Sequence, residues 1–549
     1  MSRKKQKSHP ERIEVSVEEI SAIVERTQTG ALSAEEHAKL KAAIDTFALI
    51  TEQLQAKDAS VDRLRRMIFG ATTESTRNVL GEKRGEQTAV ESTGEDAVRT
   101  PGPKPPGHGR NAAAAYTGAS QVTVAHPTLH GGEACPGCES GKLYPQNEPA
   151  KLVRITGMAP LSASVYSCDR LRCNLCGEVF TAPAPEGVGN EKYDATATSM
   201  VGLLKYGAGL PFNRIEKLQE SMGIPLPAAT QWDLVQAAAK SLAPVHEELL
   251  RQAAQGRVLY NDDTTMKVLQ LTLKQRAAAL ADDADQERTG IFTSGIVATD
   301  ETHQIALFFT GVRHAGENLS AVLARRNADL PAPIQMCDGL ARNIPTEFDT
   351  ILSQCLTHAR RKYVELTETF PAEVRFVLET LREVYITDAR AREQSLDPAQ
   401  RLALHQAESA APMKALEQWM QRQFDERLVE PNSALGAAIL YMQKRWPELT
   451  LFLRVEGVPL DNNTAERALK KAILHRKNSL FYRTLAGAHV GDVFMSLIHT
   501  AELNEVSAYE YLVAVLRNAA ASAANPQGWM PWNYAGQHSE HDAGPDPPA

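Results

Sequence analysis

Gly256-Arg-Val-Leu-Tyr-Asn-Asp262-Asp263-Thr-Thr265 is a short apolar run that ends in two acids, and Pro333-Ile-Gln-Met-Cys-Asp338-Gly339 ends in the same way. Runs of this length, bounded by glycine and proline, read as buried strands. Between them Gly290-Ile-Phe-Thr-Ser-Gly-Ile-Val-Ala298 and Gln304-Ile-Ala-Leu-Phe-Phe-Thr-Gly311 give two more strands, and Ala315 to Arg326 has a helical pattern. Two divalent cations about 4 Å apart need carboxylates converging from separate elements, so acids at the ends of two strands call for a third from a later helix. Leu460-Asp-Asn-Asn-Thr-Ala-Glu466-Arg-Ala-Leu-Lys-Lys471 supplies it, with Glu466 early in a helix that starts near Asn463.

Strand, strand, strand, helix, strand, with acids closing the first and fourth strands, is the order of a ribonuclease H-like domain. The stretch between Asp338 and Glu466 from about 362 to 451 is helical in pattern and rich in Ala, Glu, Arg and Leu, as a helical insertion would be. Past Glu466 come Arg467, Lys470, Lys471, Arg476, Lys477 and Arg483, with His475 and no further acid. Cations beside metal-binding carboxylates suit a polyanionic substrate, since each phosphate contact releases counterions; the competing reading is a solvated helix face. His358-Ala-Arg360-Arg361-Lys362 is a second basic cluster. Cys355 and His358 form a single pair without partners, and read as a packed strand end.

The chain has 549 residues, too many for one core and suited to three or four units. Apolar residues make up 43% and charged residues 23%, which excludes collagenous and wholly disordered classes. With 59 basic and 67 acidic side chains the net charge is −8, so any contact with nucleic acid must come from local patches. No apolar stretch reaches the ~20 residues that span a bilayer. The basic start, Met1-Ser-Arg-Lys-Lys-Gln-Lys7, is followed by polar sequence and not by a signal-peptide core, so a cytoplasmic protein, nucleoid-associated when on DNA, is expected.

Four of the seven cysteines form two pairs, Cys135-Pro-Gly-Cys138 and Cys173-Asn-Leu-Cys176. Each such knuckle offers two thiolates from one tight loop, and a tetrahedral zinc ion needs four. Strands at Lys151-Leu-Val-Arg-Ile-Thr156 and Ala163-Ser-Val-Tyr-Ser-Cys168 complete a zinc ribbon over about 125–185. Cys168 is a spare, or a replacement for Cys173 if the knuckle is drawn differently. Upstream, Ser33-Ala-Glu-Glu36 fits a capping box, and Leu40, Phe47, Leu54, Val61 and Ile68 recur in sevens. Ala43, Ile50, Lys57 and Leu64 accompany them, which predicts a coiled coil, or else an amphipathic helix packed on its own chain. A Pro/Gly-rich linker containing Pro101-Gly-Pro-Lys-Pro-Pro-Gly-His-Gly-Arg110 separates this helix from the ribbon. Pro211 to Glu220 and Ala228 to Val235 are two helices around a turn-rich joint. They are consistent with a helix-turn-helix that carries Gln231 and Trp232 toward a DNA groove, although any helical hairpin has this outline.

These residues resemble the transposases of the insertion sequence 66 family, which use a DDE triad. The resemblance runs over nearly the whole chain: Leu64-Arg-Arg-Met-Ile-Phe-Gly70, Pro105-Pro-Gly-His-Gly-Arg110, Asn261-Asp-Asp-Thr264, Cys355-Leu-Thr-His-Ala-Arg-Arg-Lys362, Pro459-Leu-Asp-Asn-Asn-Thr-Ala-Glu-Arg467, Arg476-Lys-Asn478 and Met530-Pro-Trp-Asn533. It implies Asp262, Asp338 and Glu466 as catalytic ligands of Mg²⁺ (or Mn²⁺), Cys135, Cys138, Cys173 and Cys176 as zinc ligands, and double-stranded DNA as substrate. The DNA would be the terminal inverted repeats of an element and its target. DNA contacts are expected from Arg467, Lys470, Lys471, Arg476, Lys477, Arg360, Arg361, Gln231 and Trp232. Asp263 stands where the family commonly has Glu, and Leu340-Ala-Arg342 replaces a usual Tyr-Ala-containing run.

The expected organisation is a multidomain α+β chain. N-terminal helices with a coiled coil occupy 1–71, a linker 72–124, a zinc ribbon 125–185 and a helical DNA-binding region 186–250. A ribonuclease H-like catalytic domain takes 251–485, a C-terminal helical element 486–535 and a tail 536–549. A homo-oligomer and small accessory proteins of the same element are the expected partners. Two other readings fit the same residues: a nuclease of this fold that cuts without joining, and a decayed, non-catalytic DNA-binding protein.

Overall fold

The computed structural model describes residues 160–172, 179–183, 191–271, 290–300 and 302–538, with scattered positions outside these ranges. The heptad positions from Phe47 to Ile68, the linker, and Cys135, Cys138, Cys173 and Cys176 lie outside the described residues. The chain divides into two compact units, one of Met1–Gln87 with Arg360–Ile386, the other of Thr88–Ala359 with Thr387–Ala549. Among the described residues no helix is long and apolar enough to cross a membrane.

The strand expected at Ala163 to Cys168 is absent, and that segment is exposed irregular chain. The strands form later, as β1 (Arg170–Arg172) and β2 (Val179–Thr181), antiparallel, with Leu171 opposite Phe180. Two short helices lead into the main core, α1 (Ala195–Gly202) and α2 (Phe212–Ser221). Asp194 caps α1 by accepting the Ala197 N–H at 2.9 Å. The next helix, α3 (Ala228–Ala253), is 26 residues long and buries Val235, Leu242, Val245 and Leu249 completely. That spacing of three, four and seven makes it a central core helix.

Five strands form one mixed sheet: β3 (Val258–Thr265), β4 (Phe292–Thr299), β5 (Gln304–Gly311), β6 (Ile334–Cys337) and β7 (Ile351–Gln354). Their order is β5-β4-β3-β6-β7. The first three strands are antiparallel neighbours, while β6 runs parallel to β3 and β7 parallel to β6. The parallel step from β5 to β6 needs a crossover, which α4 (Ala315–Leu323) provides. The helices that follow are α5 (Leu356–Val364), α6 (Pro371–Glu393), α7 (Pro398–Glu408), α8 (Ala410–Asp425) and α9 (Ala434–Gln443). Then come α10 (Asn463–Ser479), α11 (Leu485–Leu503) and α12 (Ala508–Arg517).

An edge strand exposes a row of unpaired N–H groups, and α11 covers the outer edge of β5 with side chains. Asp492, Ser496, Thr500 and Asn504 each accept a backbone N–H: from Thr310 at 2.8 Å, Phe308 at 3.0 Å, Ala306 at 3.0 Å and Gln304 at 3.2 Å. Four helical residues rise about 6 Å and two strand residues about 6.8 Å, so an i, i+4 row on a helix can follow an i, i+2 row on a strand. The ladder fixes α11 on the sheet.

Asp492 is the deepest rung. Burial pushes its carboxyl up to about 7, against the bonds from the Thr310 N–H and hydroxyl that favour ionisation. The folded protein therefore holds a proton that the unfolded chain releases near pH 4, and stability from this group falls as pH rises from about 4 to about 7. Chemical denaturation should show that slope in the wild type and lose it in Asp492→Asn. Asp492→Ala should lose the slope too, and near pH 4, where the wild-type carboxyl is protonated, it should cost about 1–3 kcal/mol because it orphans the Thr310 N–H, a cost that shrinks as pH rises toward 7.

Candidate active site

The parallel pairing of β3 and β6 sets Val258 beside Ile334 and Tyr260 beside Met336. Asp262 and Asp338 each lie two residues further along, so matched register carries both acids to the same end of neighbouring strands. Below them is a buried amide network. Asn261 Nδ2 donates to Asn343 O at 2.7 Å, and Gln335 Nε2 donates to Asn261 Oδ1 at 2.9 Å and to Asn343 O at 2.7 Å. Asn343 also donates through Nδ2 to Asp338 Oδ1 at 2.5 Å, and the Leu340 N–H reaches the same oxygen at 3.2 Å. The loop after β6 thus folds back to aim the second acid.

Glu466 occupies the first turn of α10. Two features set that turn over the sheet. Asn462 donates through Nδ2 to Asn261 O at 3.0 Å and through its N–H to Cys355 Sγ at 3.2 Å, tying the helix start to β3 beside Asp262. A Cβ on Gly295 would lie 2.9 Å from Leu469 Cδ2, so the absence of a side chain on β4 is what lets α10 sit this close.

Asp262 registers the result electrostatically. Its carboxyl is pushed up to about 7, first by burial and then by the negative charges of Asp338, Asp263 and Glu466, although the Asp263 N–H bonded to it at 2.8 Å pulls the other way. Glu466 Oε1 is buried without a hydrogen-bond partner, and His358 Nδ1 stands 3.7 Å from it, beyond hydrogen-bond reach. Asp263, one residue on, is committed elsewhere: it accepts from Ser294 Oγ at 2.6 Å and pairs with His314 Nδ1 at 2.9 Å. Asn318 Nδ2 in turn donates to Ser294 Oγ at 2.8 Å.

Oxygen donors, an orphaned buried carboxylate oxygen and mutual repulsion are what a hard divalent cation would relieve. The residues fit such an ion by chemistry. Among the described residues no group of three His, Cys, Asp or Glu side chains stands close enough to hold a metal, so the acids must close in to bind one.

The expected DNA contacts separate into distinct environments. Arg467, Lys470 and Lys477 are exposed on α10. Lys471 is paired with Glu502 at 2.8 Å, and Arg476 is turned inward onto Thr264 Oγ1 at 3.2 Å and Thr265 Oγ1 at 2.6 Å. Arg360 and Arg361 are on α5, Arg360 buried and Arg361 half-buried. Gln231 is not presented to a groove. It is fully buried, donating to Phe212 O at 3.1 Å and Leu226 O at 2.9 Å, and so clamps the joint between α2 and α3. Trp232 is half-buried against the core near Gly487. Sequence reasoning missed His314, Ser294, Asn343 and His358 as neighbours of the acids. Asn462 alone carried a signal, its place inside Asp461-Asn-Asn463.

The sheet and its acids define the class, an α/β protein with an acidic centre at the ends of two parallel strands and one helix. The sequence model of the family described as Transposase IS66 family matches residues 192–490, more than half of the chain, and the chain belongs to that family of DDE transposases. Such enzymes act on DNA with divalent metal ions. The chain is also similar to three proteins of Sinorhizobium fredii described as uncharacterized. It is 27% identical to y4jD over 383 residues, covering 66% of this chain and 71% of the relative. Identity to y4hP is 25% over 396 residues, covering 67% of each, and identity to y4qI is 24% over 351 residues, covering 61% of each.

Millimolar Mg²⁺ or Mn²⁺ should raise the melting temperature of the wild type by about 2–4 °C, the shift expected from 1–2 kcal/mol of binding in a domain this size. Asp262→Asn should melt higher than the wild type without metal, because it removes repulsion, and should lose the metal response. Differential scanning calorimetry with and without a chelator reads both.

Proposed function

We propose that this protein is a DNA transposase of a bacterial insertion sequence that cleaves at the element ends and joins the freed 3′-hydroxyl to target DNA. The observation that carries the reading is the shared end of Asp262 and Asp338 on two parallel strands, with Glu466 in the first turn of a helix that Asn462 ties to the first of them. The strand order, three antiparallel strands followed by two parallel ones across the first, supports a ribonuclease H-like catalytic domain. When bound, Mg²⁺ or Mn²⁺ would stabilise the attacking and leaving oxygens of an in-line displacement. Asp262, Asp338 and Glu466 would hold it, while Asn343 and Asn462 keep the loop and helix that present them in place.

In the first step water attacks the phosphorus at the element end. Its oxygen bonds to phosphorus as the bond to the 3′ oxygen breaks; a water proton passes to solvent, and the leaving 3′ oxygen takes up a proton and becomes the 3′-hydroxyl. In the second step that 3′-hydroxyl attacks a target phosphodiester in the same way. No covalent enzyme intermediate is needed, so no serine or tyrosine nucleophile is required. Exposed Arg467, Lys470 and Lys477 would neutralise backbone phosphates beside the acids. Paired ends call for at least two chains, which the heptad positions would join, and accessory proteins of the same element fit this scheme.

Asp262→Ala, Asp338→Ala and Glu466→Ala should each lower Mg²⁺-dependent cleavage of end-bearing oligonucleotides at least ~10³-fold, the scale of losing several kcal/mol of metal-ion catalysis, with DNA binding retained. Cleavage without joining by the wild type would leave a nuclease; binding without cleavage would leave a non-catalytic DNA-binding protein. For the cysteine pairs we propose structural zinc. Elemental analysis should find one Zn²⁺ per chain, lost on replacing Cys135 and Cys138 by Ser, and zinc-free native protein would refute the ribbon.

A further inference from the structure

The exposed side of α10 carries more than cations. Arg467, Lys470, Leu474 and Lys477 follow one another at three or four residues, so they share a face that starts beside Glu466. Lys471 spends its charge on Glu502, whereas Arg467, Lys470 and Lys477 have no acidic partner among the described residues. Leu474 interrupts them at 40% exposure, and the face ends in Leu480 at 65% and Phe481 at 39%.

Leu480 sits at φ 67°, in the left-handed region that a bulky residue rarely adopts. Its ψ is −41° and the Phe481 N–H donates to Ser479 O at 2.8 Å across it, so Leu480 centres a tight γ-turn, a rare and strained way to leave a helix. A leucine held there in water gains neither burial nor relaxed backbone, and strain of this kind collects at functional positions. The tip is also built rigidly. Between Phe481 and Arg483, Tyr482 is buried with its ring stacked 4.5 Å from His475. Its N–H donates to Lys267 O at 2.8 Å, and its carbonyl accepts the Leu269 N–H at 2.9 Å. With Arg476 bonded to Thr264 and Thr265, the tip is fixed to the strand that carries Asp262. Exposed Lys267, Lys477 and Arg483 surround it.

An apolar pair ringed by cations matches one partner well: duplex DNA, whose stacked apolar interior lies between two rails of phosphate. Proteins that kink DNA insert leucine or phenylalanine between base steps and hold the flanking phosphates with Lys and Arg. We infer that Leu480 and Phe481 form a wedge that enters the DNA of an element end and unstacks it at a set distance from the cut. At about 1.5 Å per residue, α10 sets the tip about 20 Å from Glu466, or about six base pairs of B-form DNA. The inference rests on the proposed action on DNA and adds where, and by which residues, the duplex is deformed.

The test uses the full-length protein and a 40-base-pair duplex bearing the terminal repeat of the encoding element. 2-Aminopurine is placed singly from about two to ten pairs from the cleavage position. Wild-type binding should raise its fluorescence at least threefold, with a maximum near the sixth pair. Leu480→Ser with Phe481→Ser should bind in gel shifts within about threefold of the wild type and leave the fluorescence flat. Leu480→Gly should melt at a higher temperature, because its backbone strain is gone, and still lose most of the signal, which separates the wedge from a folding defect. Phe481→Leu should keep most of it. Flat fluorescence with bound wild type, or an equal rise with the double serine variant, overturns the wedge. So does light scattering in which that variant alone becomes monomeric while the fluorescence is flat for both, which would make the tip a contact between copies of the chain. Failure of the wild type to shift any duplex overturns the DNA-processing reading itself, and the wedge with it.

Discussion

Everything at the candidate site depends on the parallel register of β3 and β6. One residue of slip would turn either Asp262 or Asp338 to the opposite face, because side chains alternate along a strand. The amides below the acids resist that slip. Gln335, Asn261 and Asn343 lock both strands and the following loop through bonds of 2.7–2.9 Å, all in the interior. Buried polar groups are costly unless satisfied, so a slipped sheet would orphan three amides as well as misplace two acids. Asn462 extends the network to α10, and the third acid is thereby referred to the same frame.

That frame brings like charges together, and the protein bears the electrostatic cost at Asp262, held up to about 7 by burial and its acidic neighbours. Elsewhere the fold supplies partners freely. Asp388 accepts from Arg401 at 2.8 Å and contacts Arg392 at 3.0 Å, and its carboxyl stays near 2 although burial opposes this. The contrast sets apart Asp262, raised among acidic neighbours, and Glu466, whose buried Oε1 has no hydrogen-bond partner, and it supports the proposal that these acids with Asp338 serve a ligand.

Much of this was legible in the sequence, and the reasons are physical. Two apolar runs ending in acids are short-range patterns, and four of the five strands and α10 appear within a few residues of their expected ends, while the four-residue β7 is too short to stand out in the sequence. The shared end of Asp262 and Asp338 follows once both runs are strands. The partners of Asp263 are not legible, since Ser294 and His314 are brought there only by the antiparallel pairing of β3 with β4 and by the start of α4. Gln231 illustrates the converse. The helix pair around Gly223 is present, but α3 continues to Ala253 and is absorbed into the core, so the amide faces inward. A basic count along α10 likewise cannot tell that Lys471 and Arg476 spend their charge on the protein's own Glu502 and Thr265. The polar row on α11 looks like a weakly amphipathic helix until β5 lies beside it.

The central claim is that matched strand register and the docking of α10 prepare three carboxylates for a divalent cation. Crystals of the protein bound to an element-end duplex, grown with Mn²⁺ and measured at an energy where manganese scatters anomalously, would test it most directly. The account predicts an anomalous peak bonded to oxygens of Asp262, Asp338 and Glu466, with Asp263 still paired to His314. A peak held by other residues, or none at these acids with DNA in place, would contradict it.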